Sequence, residues 1–264
     1  MIRPGLCSVT FRGLDVPRVV ELAAHADLEC IEWAGDVHVP PGDVDAARRA
    51  RKATEDAGLA VASYGSYLRF EGAVEEVAAE GEAVLASALA LGAPRIRVWA
   101  GSAGSADVGP EQRARLVARL AAFARRADAE GVDLGLEFHG RTLTDEIGST
   151  LRLLDEVGEV NVRSYWQPHQ DMPEADALDT LREVLPRTSS IHVFSWWPGH
   201  ERLPLAERSS LWREVFTLLQ AHDRENGGER DALLEFIPGD DPDLLPREAA
   251  TLRELLGEAA RAAQ

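Results

Sequence analysis

The chain has 264 residues, 45% of them hydrophobic, enough to bury one large core. Asp+Glu 45 against Lys+Arg 28 leave a formal net charge of −17, and a surface that acidic repels phosphate backbones and anionic lipid, which argues against nucleic-acid and membrane partners. Cys7 and Cys30 make no disulfide framework, no apolar run approaches the ~20 residues of a membrane span, and the first residues carry no apolar stretch of secretory length; a soluble, cytoplasmic protein with reduced thiols is expected.

One pattern recurs along the chain. A short β-rich apolar run is followed by a polar or glycine-bearing loop and then by an amphipathic segment rich in Ala, Leu, Arg and Glu. GLCSVTF (5–11) leads to a helix over 15–28, CIEWAG (30–35) to one over 43–57, and LAVASYGSY (59–67) to one over 73–92. RIRVWAG (95–101) precedes PEQRARLVARLAAFARRADAE (110–130), whose apolar residues recur at helical spacing and which stops before Gly131. VDLGLEFHG (132–140), VRSYWQP (162–168), SIHVFSWW (190–197) and ALLEFIPG (232–239) alternate in the same way with helices over 147–157, 174–186, 206–224 and 243–262. Strict alternation of this kind predicts a parallel sheet with helical crossovers, and eight units in this length favour a single-domain (β/α)8 TIM barrel over residues 1–264. No G-x-G-x-x-G or Walker loop follows the first run, and no linker splits the chain. Lys52 is the only lysine and lies in a helical stretch, which leaves little scope for Schiff-base chemistry.

In such a barrel the chemistry sits at the C-terminal ends of the strands. The fifth run ends in Glu137 and His139, the sixth in Gln167 and His169, the eighth carries Glu235, and His192 lies near the start of the seventh. Residues two apart share a strand face, so Glu137 pairs with His139 and Gln167 with His169. Charged or imidazole groups inside runs such as LGLEFH and ALLEFI are costly to bury unless paired or metal-bound. Two glutamates, a histidine and an amide oxygen from successive strands can converge on one divalent cation, and mixed O/N ligation suits Mn²⁺, Mg²⁺ or Co²⁺, with Zn²⁺ as a further option.

The order LEFHG, WQPHQD, IHVF, LLEF resembles the sugar phosphate isomerase/epimerase superfamily of xylose isomerase-like TIM barrels. The resemblance implies metal ligands at Glu137, Gln167, His192 and Glu235, one from each of strands five to eight, with Glu137 and Glu235 as the acid/base pair. IEWAGDVHVPPGD (31–43), SYGSYLRF (63–70) and RVWAGSAGS (97–105) fall where the family places substrate-pocket segments. Two departures stand out. Gln167 takes the place of an aspartate ligand, and the family's Asp-x-x-His spacing would put a histidine at Gln170, whereas the histidine here is His169.

Substrate contacts are expected from Glu32, His38, Trp99, His139, His169, Trp196 and Arg202, of which Trp99 serves equally as barrel packing and Arg202 as a surface arginine. His25 and His222 sit on helices and read as structural. The expected activity is a metal-dependent sugar, sugar-phosphate or cyclitol isomerase or epimerase working by proton abstraction from carbon. A dehydratase on the same scaffold and a non-catalytic polyol-binding barrel are the alternatives. A phosphodiesterase of the endonuclease IV type is disfavoured by only seven histidines and the −17 charge. Whether copies assemble into a homo-oligomer is left open.

Overall fold

The computed structural model describes residues 2–262. Eight parallel strands, β1 (Ile2–Cys7), β2 (Cys30–Ala34), β3 (Ala60–Gly65), β4 (Arg95–Val98), β5 (Asp133–Glu137), β6 (Val162–Trp166), β7 (Thr188–Val193) and β8 (Arg230–Leu234), close into a barrel in sequence order. Each is followed by a helix: α1 (Val16–His25), α2 (Val44–Asp56), α3 (Val74–Leu91), α4 (Pro110–Asp128), α5 (Ile147–Val157), α6 (Glu174–Val184), α7 (Ser209–Asn226) and α8 (Leu245–Ala262). Local chemistry sets the helix ends: Asp15 and Asp43 accept the first-turn amides of Arg18 and Ala46, while Gly92 and Gly158 stop α3 and α5 in the left-handed conformation.

Three strands sit differently from the sequence reading. β1 spans Ile2–Cys7 rather than 5–11, because Ser8–Phe11 coil into a 3-10 turn. Side chains of that turn then close the barrel mouth, Ser8 Oγ accepting the Ala34 amide and Thr10 Oγ1 the Phe236 amide. β7 and β8 each start two residues earlier than expected and end before the aromatic and proline-bearing loops. His192 therefore stands at the C-terminal end of its strand, not near the start.

Alternation along the strands divides the apolar residues into two cores. Outward residues such as Leu6, Ile31, Ile96, Leu134, Leu136, Trp166, Ile191 and Leu234 pack under the helices in one large cluster. Inside the barrel a small cluster of Cys7, Val9, Cys30, Ala34, Ala62, Tyr165 and Leu233 fills the middle. Glycines make room for it: a Cβ on Gly5 would lie 2.5 Å from Leu233, and one on Gly135 would lie 2.4 Å from the Tyr165 ring. Polar layers flank this plug. Toward the N-terminal mouth, Arg95 bonds Asp231 and Ser190, each at 2.8 Å; toward the C-terminal mouth lies the group described next. No helix among the described residues is long and apolar enough to cross a membrane.

Candidate active site

The inward positions nearest the C-terminal mouth carry Cys7, Glu32, Arg97, Glu137, Gln167, His192 and Glu235, all but sealed from solvent. Hydrogen bonds join four of them. Arg97 Nη1 donates to Glu137 Oε2 at 2.6 Å, and Gln167 Nε2 donates to Glu137 Oε1 at 3.1 Å. The Gln167 carbonyl faces His192 Nδ1 at 2.9 Å, so one amide bridges a carboxylate and an imidazole. His192 Nδ1 also lies 3.5 Å from Glu235 Oε2 and 3.8 Å from Glu137 Oε1. On the other edge of the ring, Nε2 faces Glu32 Oε1 at 3.4 Å. Glu32 is held in turn by Ser63 Oγ at 2.6 Å, and Ser63 meets the Tyr165 hydroxyl at 3.1 Å.

These contacts set the protonation states. Burial alone would lower the pKa of His192, but Glu235 and Glu32 outweigh it and push the imidazole up to about 9. Burial, reinforced by Glu137, pushes the Glu235 carboxyl up to about 7 against the attraction of His192. Burial would raise Glu137 and Glu32 as well, yet Arg97 and His192 hold both below the usual carboxylate range. The two glutamates that flank His192 are thus driven apart: Glu137 stays an anion and Glu235 is poised to exchange a proton.

A cavity of about 390 Å³ opens above this group. Arg97, Glu137, Gln167 and Glu235 reach it from below, and Tyr67, Trp99, His139, His169, Phe194, Trp196 and Phe236 form its walls. His139 stacks 4.2 Å from Trp99, and its Nδ1 lies 2.7 Å from the Gly140 carbonyl. His169 stacks 4.3 Å from Phe138 with Nε2 2.7 Å from the Asp145 carbonyl; burial lowers its pKa, so its Nδ1 is a free lone pair. The indole nitrogens of Trp99 and Trp196 are buried with no hydrogen-bond partner among the described residues, so these two side chains present ring faces and edges to the cavity.

Of the residues singled out from sequence, Glu137, Gln167, Glu235, Trp99, His139, His169 and Trp196 line the cavity, and His192 lies just beneath it. Three do not. Glu32 is buried below the cavity against His192 and Arg97. His38 bonds Ser8 Oγ and the Leu14 carbonyl, each at 3.0 Å, and packs edge-on to Trp33, a structural role. Arg202 pairs with Asp240 at 2.5 Å, lies over Trp196 and Phe236, and borders a neighbouring cavity. Arg97 opens the pocket segment RVWAGSAGS (97–105) but carries no individual role there, although its flanking residues Ile96 and Val98 mark it as inward-facing. Tyr67, within the pocket segment SYGSYLRF (63–70), and Phe236, within the run ALLEFIPG (232–239), carry no individual role from sequence, because both stand past the ends of β3 and β8, where no periodicity assigns a direction.

Donor atoms around a divalent ion bound at about 2.1 Å lie about 3.0–3.4 Å from one another. The Gln167, Glu235 and Glu137 oxygens stand 2.9, 3.5 and 3.8 Å from His192 Nδ1, so four candidate donors surround one point, and the two carboxylates would have to swing toward each other to share one ion. Glu32 behind Nε2 supplies the carboxylate that commonly orients a ligating imidazole. Cys7, Glu32 and His192 also offer ligand atoms within 4.8 Å of one another. That side is less suited to a cation because burial pushes the Cys7 thiol far up, away from the thiolate a metal needs.

The family model for xylose isomerase-like TIM barrels matches residues 20–224, and the chain belongs to that family. It is 29% identical over 168 residues to a 3-dehydroshikimate dehydratase of Bacillus anthracis, a match that spans 60% of this chain and 59% of that enzyme. Among solved structures, a probable 3-DHS dehydratase of Bacillus anthracis involved in petrobactin synthesis superposes with a TM-score of 0.75 at 22% identity, covering 96% of this chain and 99% of the other. An L-ribulose 3-epimerase superposes with a TM-score of 0.74 at 21% identity, covering 100% and 97%. At these identities the two superpositions establish the shared barrel.

Proposed function

We propose that this barrel is a divalent-metal-assisted enzyme that moves a proton on the carbon beside a carbonyl of a small sugar or cyclitol, as an isomerase or epimerase. The observation that carries the reading is the grouping of Glu137, Gln167 and Glu235 around His192 Nδ1 beneath a cavity walled by aromatic rings. Glu137, Gln167, His192 and Glu235 would hold the ion, and Mn²⁺, Mg²⁺ or Co²⁺ suits their mixed O/N donors, with Zn²⁺ a further candidate. When bound, such an ion supplies Lewis-acid polarisation of the carbonyl and its neighbouring hydroxyl.

The chain's own groups do the rest. Trp99 and Trp196 offer flat apolar faces to the sugar. Glu235, whose carboxylate accepts no hydrogen bond among the described residues and borders the cavity, takes the proton from carbon and returns it. His139 and His169, each oriented by a backbone carbonyl, face the substrate's hydroxyl groups. A β-eliminating dehydratase begins with the same proton abstraction, and the match to a 3-dehydroshikimate dehydratase favours it as the second reading.

The test is incubation with ketoses and cyclitols in D₂O with each metal, followed by NMR. Deuterium should enter at one carbon, and Glu235→Gln should abolish exchange. Loss of water without a stereoisomer would select the dehydratase. Full activity of protein shown by elemental analysis to be metal-free would overturn the reading.

A further inference from the structure

The two glutamates beside His192 are not equivalent. Both oxygens of Glu137 already accept hydrogen bonds, Oε2 from Arg97 Nη1 at 2.6 Å and Oε1 from Gln167 Nε2 at 3.1 Å. The Glu235 carboxylate accepts none among the described residues; its nearest cationic neighbour is His192 Nδ1 at 3.5 Å, and it borders the cavity. Arg97 is itself immobilised. Its guanidinium is buried, its Nε lies 3.4 Å from Glu32 Oε1, and its cation sits 5.2 Å from the Tyr67 ring. Gly65 makes the space, since a Cβ there would lie 2.8 Å from Glu32 Oε1 and 2.9 Å from Arg97 Nη2.

We infer that Arg97 is a positioning residue that holds Glu137 as a fixed ligand carboxylate, leaving Glu235 as the sole carboxylate base, so that the enzyme transfers protons on one face of its substrate and does not invert the reacting carbon. The inference rests on the proposed function and narrows it. Inversion by the two-carboxylate route needs Glu137 to serve as acid or base on the face opposite Glu235. A carboxylate whose Oε2 is bonded to a buried guanidinium and whose Oε1 is needed for a metal ion has no oxygen left to accept a proton from carbon.

The chemistry that remains is a 1,2-shift or a β-elimination. In the shift, the C–H bond breaks, its electron pair forms the enediol double bond, and the carbonyl pair moves to oxygen. Glu235 carries the proton from one carbon to its neighbour on the same face, while the hydroxyl proton moves between the two oxygens. In the elimination, the same C–H pair forms a C=C bond, the β-C–O pair leaves with oxygen, and the proton held by Glu235 completes a water molecule.

Two measurements test this, and the first needs no substrate. Mn²⁺ affinity is measured by titration calorimetry on the wild type, Arg97→Gln and the charge-preserving Arg97→Lys, with melting temperatures as fold controls. Releasing Glu137 from a buried cation should tighten Mn²⁺ binding about ten-fold in Arg97→Gln. Arg97→Lys should stay within about three-fold of wild type, because Lys keeps the charge at that site. Unchanged or weaker binding in folded Arg97→Gln overturns the inference. The second measurement follows D-fructose, D-ribulose and scyllo-inosose in D₂O with Mn²⁺. Exchange without an inverted product supports the inference, and an inverted epimer from the wild-type enzyme overturns it. If none of the three exchanges, the calorimetry decides alone. Failure of the wild type to bind Mn²⁺ at all would instead sink the proposed function.

Discussion

Loading a divalent ion into this site should expel protons, and by an amount the structure sets. In the metal-free protein His192 is held near pKa 9 by Glu235 and Glu32, and Glu235 is held near 7. An ion needs His192 Nδ1 unprotonated and Glu235 ionised, so both groups oppose binding until the pH passes their pKa values. At pH 7 the imidazole is almost fully protonated, and removing its proton costs about 100-fold in affinity, on the order of 3 kcal/mol. Mn²⁺ affinity should therefore rise about ten-fold per pH unit between pH 7 and 9, more steeply below 7, and level off above 9. Calorimetry at pH 6, 7, 8 and 9, repeated in two buffers of different ionisation enthalpy, counts the protons directly. About one proton should leave at pH 8, and between one and two at pH 6. Affinity that stays flat from pH 6 to 9, or binding with no proton release, would refute the assignment of His192 and Glu235 as ligands.

The other expectations concern individual positions and the metal-free fold. Gln167→Asp adds a third ligand charge and should tighten Mn²⁺ binding by about ten-fold or more at pH 8, read by the same calorimetry. Gly135→Ala places a Cβ 2.4 Å from the buried Tyr165 ring and should cost about 1–3 kcal/mol, seen as a melting temperature lower by about 3–10 °C. Above about pH 7, where the opposite contribution of His38 and His169, both lowered by burial, is nearly complete, stability of the metal-free protein should fall as the pH rises. The raised His192 contributes stability that is complete below its ordinary 6.5 and lost through about 9; the raised Glu235 favours its neutral form and gives up stability between its ordinary 4.5 and about 7. Melting curves from pH 7 to 9 should show this decline, and saturating Mn²⁺ should flatten it.

Alternation of β-runs and amphipathic segments suffices to predict the barrel, because each crossover helix buries one face and each strand feeds two cores. The same two-residue periodicity places Glu137, Gln167, His192 and Glu235 on inward faces, and the structure brings those four together. Strand ends are less legible. GLCSVTF carries β-type residues to Phe11, but Ser8 and Thr10 are spent on hydrogen bonds across the mouth, which coil the last four residues. Arg97 illustrates a second limit. Its inward direction can be read from Ile96 and Val98, yet its partner Glu137 is 40 positions away and nothing local names it. His38 shows the converse, since a histidine in a promising loop is consumed by Ser8 and the Leu14 carbonyl.

The apolar plug in the middle of the barrel governs how labelled hydrogen would behave. Tyr165, Cys7 and Leu233 are wholly buried under the site, and burial keeps the Tyr165 hydroxyl protonated, so the relay from Tyr165 through Ser63 ends on Glu32 without an outlet below. Hydrogen taken by Glu235 can then leave only upward, through the space a bound substrate fills. An isotope removed from one carbon should consequently reappear on the product in part, and the fraction washed into solvent becomes a clock for how long the substrate caps the barrel.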